Sequence, residues 1–247
     1  MNAKPLEITI SDSSVIYTGT EAQTGVRRAE LSPANNDQNK GLMSGKKTVH
    51  FSLQYDTRRL LNYTHEYLLF FMETSDYATT QISVRTGAIL GGTNEQQTVK
   101  QVLRVFGNTK HSAQGQLLFE TGFVNGWHNF ALELDFNKNT VLPYYSSNED
   151  VLEPMSSGPI SNSLGGGGRY HFGLLKKGTN GRGNFLTNGF QPRGINEGMI
   201  YGGIFVEDGA LDCSTSTGSS GSSNPGGSPT STGSTSSPTF GGSGVGK

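Results

Sequence analysis

Between Lys47 and Tyr55 the sequence KTVHFSLQY switches polarity at almost every residue. Val49, Phe51, Leu53 and Tyr55 fall on one side, and Thr48, His50, Ser52 and Gln54 on the other. A two-residue period places successive side chains on opposite faces of a strand and is incompatible with a helix. Trp127 to Phe136, WHNFALELDF, repeats the pattern, and Asn137-Lys138-Asn139 then predicts a hairpin into Thr140 to Tyr145. His65 to Glu73, HEYLLFFME, is almost continuously apolar and reads as a central strand covered on both faces. Shorter candidates lie at Glu7–Ile10, Val15–Tyr17, Val26–Leu31, Gln81–Arg85, Lys100–Phe106, Gln116–Glu120, Arg169–Leu175 and Met199–Glu207. No stretch sustains a 3.6-residue period. The expected class is all-β: a jelly roll, or two-sheet antiparallel sandwich.

Composition divides the chain in two. Residues 213–247 are almost entirely Ser, Gly, Thr and Pro, too poor in apolar groups to offset the entropy of ordering. They are expected to form a disordered linker or tail, leaving residues 1–212 to supply the whole core. The net charge of -1 carries no basic field, so no nucleic-acid partner is expected. No apolar run reaches the roughly 20 residues that span a bilayer, so no membrane partner is expected either. The single cysteine, Cys213, excludes an intrachain disulfide. MNAKPLEITI opens on strand-like alternation rather than a secretory signal. A monomer is expected, without metal or other cofactor: the five histidines have no HxH or HExxH spacing.

Two acids stand among residues that would otherwise be buried. In Val26–Leu31, VRRAEL, Arg28 and Glu30 point the same way, so the carboxylate arrives with a cation. In HEYLLFFME strict alternation puts His65, Tyr67, Leu69, Phe71 and Glu73 on one face. Arg28 would hold the pKa of Glu30 down, and Phe71 and Tyr67 would push that of Glu73 up. Cleaving a bond between sugars needs such a contrast: one carboxyl protonates the leaving oxygen, and a carboxylate serves as base or nucleophile. Glu30 suits the base or nucleophile and Glu73 the acid. Either could equally be an ordinary ion pair or a strand end in solvent.

Around that pair, His65 would lie within reach of Glu73 or a sugar hydroxyl. Trp127, the lone tryptophan, and Tyr67 and Tyr170 could stack on the C–H face of a sugar ring. His171 lies in a strand. The polar, Gly-rich segment from Lys177 to Gly198 reads as a long loop near a binding face. Gly165–Gly168 lacks the Lys-Ser/Thr of a phosphate cradle, and no GxSxG elbow is present.

RRAEL, HEYLLFFME, WHNFALELDF and RYHFGLL, in that order, resemble the strands of glycoside hydrolase family 131, fungal β-glucanases with a β-jelly-roll fold. The match runs from about Glu7 to Glu207. The resemblance implies secreted enzymes acting on β-1,3-, β-1,6- and β-1,4-linked glucans, with Glu30 and Glu73 matching the family's proposed catalytic pair. It places Arg28 beside the first acid and His171 in the family's WHVGVL-type strand, where Tyr170 replaces tryptophan. Thr74-Ser75-Asp76-Tyr77 replaces the family's Ser-His-Phe, its cleft tryptophans are mostly absent, and the chain starts after the family's usual first strands. The Ser/Gly tail resembles linkers that lead to a cellulose-binding module. Two rival readings are a glucan-binding sandwich without catalysis and a polysaccharide lyase. RRAEL also resembles the arginine–glutamate strand of alginate lyases, but their QIH-type strand is missing.

Overall fold

The computed structural model describes residues 4–34, 41–110 and 112–211; the tail assigned to residues 213–247, with Cys213, lies outside the described residues. Fifteen strands and one short helix are described. They are β1 (Leu6–Ser11), β2 (Tyr17–Thr18), β3 (Glu21–Ala22), β4 (Val26–Leu31), β5 (Lys46–Tyr55), β6 (Glu66–Glu73), β7 (Thr80–Gly87) and α1 (Asn94–Thr98). The rest are β8 (Val102–Phe106), β9 (Leu117–Gly122), β10 (His128–Asp135), β11 (Thr140–Ser147), β12 (Glu153–Pro154), β13 (Ile160–Ser161), β14 (Arg169–Lys177) and β15 (Asn196–Asp208). One sheet has the order β4-β14-β6-β7-β8-β9; the other runs β1-β15-β5-β10-β11-β12, with β13 on β11. Every pairing is antiparallel. The expected all-β sandwich is what forms.

The sheets bury their facing sides against each other because β5, β10, β14 and β6 each send large apolar residues inward. Phe51 of β5 stacks on Phe70 of β6 and on Phe130 of β10, with centroids 4.8 and 5.3 Å apart, and Phe172 of β14 completes the cluster. The hairpin expected after Phe136 is present: Asp135 Oδ1 accepts from the amides of Asn137 and Lys138, and Asn139 takes φ 54°. An Asn tolerates that left-handed turn better than most side chains.

Three local expectations are corrected. The strand expected at Val15–Tyr17 is only the two-residue β2, paired with β3. The helix α1 was not foreseen, since five residues are too few to display a period. Its mark is the capping box Thr93-x-x-Gln96: Thr93 Oγ1 accepts from Gln96 N, and Gln96 Oε1 from Thr93 N. The third is the face of β6. Its pairing with β7 slips at Leu69–Phe70, so the alternation breaks there. Tyr67, Leu69, Phe70 and Met72 all point between the sheets, while Leu68 and Phe71 lie on the outer face. The slip frees backbone carbonyls, and the buried Tyr201 hydroxyl sits 2.8 Å from both Leu69 O and Gly173 O.

Among the described residues no helix is long and apolar enough to cross a membrane.

Candidate active site

The outer face of the six-stranded sheet is where the charged residues of β4, β14 and β6 converge. Glu30 on β4 pairs with Gly173 of β14, and His171 of β14 pairs with Phe71 of β6. These registers set Glu30, His171 and Glu73 side by side. Arg28 grips Glu30 in a fork, Nε to Oε1 at 2.8 Å and Nη2 to Oε2 at 2.5 Å. On the other side His171 Nδ1 lies 2.9 Å from Glu30 Oε2, and Nε2 of the same ring lies 2.9 Å from Glu73 Oε1. The second contact is close but not aligned as an N–H donor bond, leaving Nε2 without a formed partner. Phe71 lies flat against the imidazole, centroids 4.3 Å apart and planes 2° from parallel, and the Arg28 guanidinium stands 5.9 Å from the centre of that ring.

Burial alone would push Glu30 up. The hydrogen bond from His171, then the charge and hydrogen bond of Arg28, outweigh it and hold the carboxyl below its ordinary range. Burial pulls His171 the other way, and its contacts with Glu30 and Glu73 outweigh that, so its pKa is raised. Because ionised Glu30 can only accept, Nδ1 must carry the N–H. The side chain of Glu73 is 18% exposed against 9% for Glu30 and for His171, which makes Glu73 the more accessible acid.

The backbone at both acids is held by glycines. A Cβ on Gly173 would come within 2.2 Å of Ala29 O and 2.7 Å of Glu30 Cα. Gly168, the last of the glycine run, has φ +141°, and a Cβ there would sit 1.6 Å from Glu73 O. Only glycine lets these segments lie this close. The sequence alone marked neither role: Gly168 closes the run that fits no phosphate loop, and Gly173 sits inside the apolar strand RYHFGLL.

Four of the residues expected near the pair lie elsewhere. His65 is buried with Nδ1 2.8 Å from Lys177 O, well apart from Glu73 in its hydrogen bonding. Tyr67 points between the sheets, its hydroxyl donating to Glu197 Oε2 at 2.6 Å, so it does not flank Glu73; the slip in β6 is the reason. Tyr170 is also in the inter-sheet core, donating to Leu42 O at 2.7 Å. Trp127 rests against Gly202 on the outer face of the opposite sheet. The face-sharing position next to Phe71 belongs instead to Leu68, with Glu66 beyond it. Glu66 is fully buried, 2.7 Å from Lys177 Nζ and 3.4 Å from Arg85 Nη1, and accepts from Leu90 N.

The loop between β14 and β15 packs against this face. Leu186 packs on the cluster of Val26, Leu68, Phe71 and Leu175. Its backbone is pinned by Gly25 N to Leu186 O at 2.8 Å and by Gln191 Nε2 to Gly25 O at 3.0 Å. The loop thus bounds the acid pair on one side. Among the described residues no group of three His, Cys, Asp or Glu converges in a way that could hold a metal ion.

A family model described as the glycoside hydrolase 131 catalytic N-terminal domain matches residues 1–211. Solved structures with this fold include the catalytic domain of a GH131 β-glucanase from Podospora anserina, at 23% identity, 84% of this chain, 73% of that chain and a TM-score of 0.61. The GH131 catalytic domain from Coprinopsis cinerea is similar at 21% identity, covering 84% and 71% respectively, with a TM-score of 0.59. At such identities the likeness to those two is one of fold. A search of curated protein sequences returned no match. The chain belongs, by its family match over residues 1–211, to glycoside hydrolase family 131, and is a glycoside hydrolase.

Proposed function

We propose that the chain hydrolyses β-linked glucans with Glu30 as base and Glu73 as acid, and that it works outside the cell, as the family resemblance implies. The observation that carries this reading is one imidazole placed between two carboxylates, 2.9 Å from each. Glu30, held ionised by Arg28 and by the Nδ1–H of His171, is suited to taking a proton from an attacking water. Glu73, whose Oε1 lies 2.9 Å from His171 Nε2, is assigned the proton of the general acid. From Glu73, the more exposed of the two acids, it passes to the glycosidic oxygen as the bond to the leaving sugar breaks. Water adds to the anomeric carbon, its proton goes to Glu30, and the two acids exchange protonation before the next turnover.

The width of the gap bears on stereochemistry. With a ring nitrogen 2.9 Å from each acid, the nearest carboxylate oxygens stand at most roughly 8 Å apart, a bound that admits both the inverting spacing (about 6.5–9.5 Å) and the retaining one (about 5–5.5 Å). The substrates in view are β-1,3-, β-1,6- and β-1,4-linked glucans. Reducing-sugar release from laminarin, a β-1,6-glucan and cellulose, compared for wild type, Glu30→Gln and Glu73→Gln, tests the assignment. Each variant is expected to lose at least about 100-fold in kcat. Wild-type rates in both variants would reject it. Proton NMR of the first-formed product decides the stereochemistry, the α-anomer marking inversion and the β-anomer retention.

A further inference from the structure

Trp127 stands on the outer face of the seven-stranded sheet, apart from the acid pair and its supports. Its Cη2 lies 3.5 Å from where a Cβ would sit on Gly202, so the indole rests on the bare backbone of β15. Phe205, also on β15, is 42% exposed and lies parallel to His50, with ring centroids 4.2 Å apart and planes 8° from parallel. His50 is buried beneath it and is held by Glu207 Oε1 at 2.8 Å from Nε2. One face of Phe205 is therefore backed by a ring, and the other is open to solvent.

The register makes these two rings neighbours. Gly202 pairs with Ser52 and Phe205 with His50, so the two seats lie in adjacent rows, roughly 7 Å apart along the strand. Apart from the Glu207 carboxylate on His50, the groups between them are neutral donors and acceptors. Ser52 Oγ donates to Asn129 Oδ1 at 2.7 Å, Asn129 Nδ2 to Ser146 Oγ at 3.1 Å, and Gln54 Nε2 to Asn125 Oδ1 at 3.5 Å. The other ion pairs of this sheet stand toward its two ends: Lys46–Glu133 and Lys47–Asp208 at the Lys46 end of β5, and Glu7 with Arg58 and Arg59 beyond its Tyr55 end. The strip between the rings thus matches an uncharged polymer: flat apolar seats for C–H faces, and amides and hydroxyls for sugar hydroxyls. The cations at its ends, Lys46, Lys47, Arg58 and Arg59, are each paired with a carboxylate, so they leave no unbalanced basic cluster for a nucleic acid or an acidic protein. Its amide-rich rows also lack the continuous apolar area of a stable protein interface.

We propose that this face is a second glucan-binding surface, which holds one stretch of the polymer while the acids on the opposite sheet work on another. The proposal rests on the reading of β-glucan as substrate. It is tested by adsorption of the full chain to insoluble cellulose and curdlan. The background is Glu73→Gln, with a short soluble glucan oligosaccharide in excess to fill the acid-bearing face. Phe205→Ala is expected to weaken adsorption about tenfold, as loss of one aromatic stacking contact implies. Phe205→Tyr should restore it. In the otherwise native chain, Phe205→Ala should hydrolyse the soluble oligosaccharide at the wild-type rate. Equal adsorption of Phe205→Ala, Trp127→Ala and the parent overturns the proposal. So does a loss of adsorption seen only on removal of residues 212–247, or one that tracks a fall in soluble hydrolysis. Absence of wild-type hydrolysis of the soluble substrate would sink the catalytic reading instead, and leaves the adsorption comparison to be judged alone.

Discussion

At the scale of single residues, His171 concentrates the chemistry, because one ring meets both acids and lies flat on Phe71. Replacing it with alanine removes the donor to Glu30 and the ring nitrogen beside Glu73 together. His171→Ala is expected to lower kcat by about 100-fold or more, with a smaller change in KM, in steady-state assays on soluble glucan. The pH dependence of stability follows from the same contacts. Glu30 is depressed below its ordinary 4.5, so its stabilisation is complete above that value and is lost as pH falls through the depressed one. His171 is raised above its ordinary 6.5, so its stabilisation is complete below that value and is lost as pH rises through the raised one. The two overlap fully between pH 4.5 and 6.5. Thermal unfolding of the wild type should be most resistant in that window, and His171→Ala should flatten the profile. Arg28 beside Glu30 was legible in the sequence, since residues two apart on a strand share a face. The His171 bridge was not: it depends on β14 lying between β4 and β6, a fact of topology.

At the scale of elements, two close approaches and one slip carry the site. Gly173→Ala would drive a methyl into the backbone of β4 at Ala29 and Glu30. The expected result is a folded but weakened protein that has lost most activity, checked by comparing melting temperature with kcat. Tyr201→Phe acts at the slip in β6, removing the hydroxyl between the carbonyls of Leu69 and Gly173. A buried carbonyl left unpaired costs about 1–3 kcal/mol, measurable as a shift in the denaturation midpoint. Because those carbonyls belong to the strands bearing His171 and Glu73, activity should fall as well. The slip also explains why the expected neighbours of Glu73 were half right. Phe71 lies after it and keeps its face, whereas Tyr67 and His65 lie before it and do not. A period-two pattern cannot register an inserted residue when both neighbours, Leu69 and Phe70, are apolar.

At the scale of the whole molecule, the sandwich carries an ion pair deep between its sheets. Lys176 Nζ lies 2.6 Å from Glu197 Oε1, and Tyr67 donates to the other oxygen of Glu197. Removing one partner leaves the other charge buried and unpaired, so Glu197→Gln should cost about 3–5 kcal/mol by chemical denaturation. Lys176→Met with Glu197→Met, which removes both charges, should cost clearly less. The sequence by itself determined the class of fold, because alternation in Lys47–Tyr55 and Trp127–Phe136 admits only strands with one buried face. It also singled out the two acids, since a carboxylate among apolar strand residues is costly without a partner. Tertiary structure alone decided which strands became neighbours, and hence that one histidine joins those acids while Tyr67, Tyr170 and Trp127 turn to the core or to the opposite sheet. Strand order and register are set by packing summed over both sheets, and no local pattern in the chain records that sum.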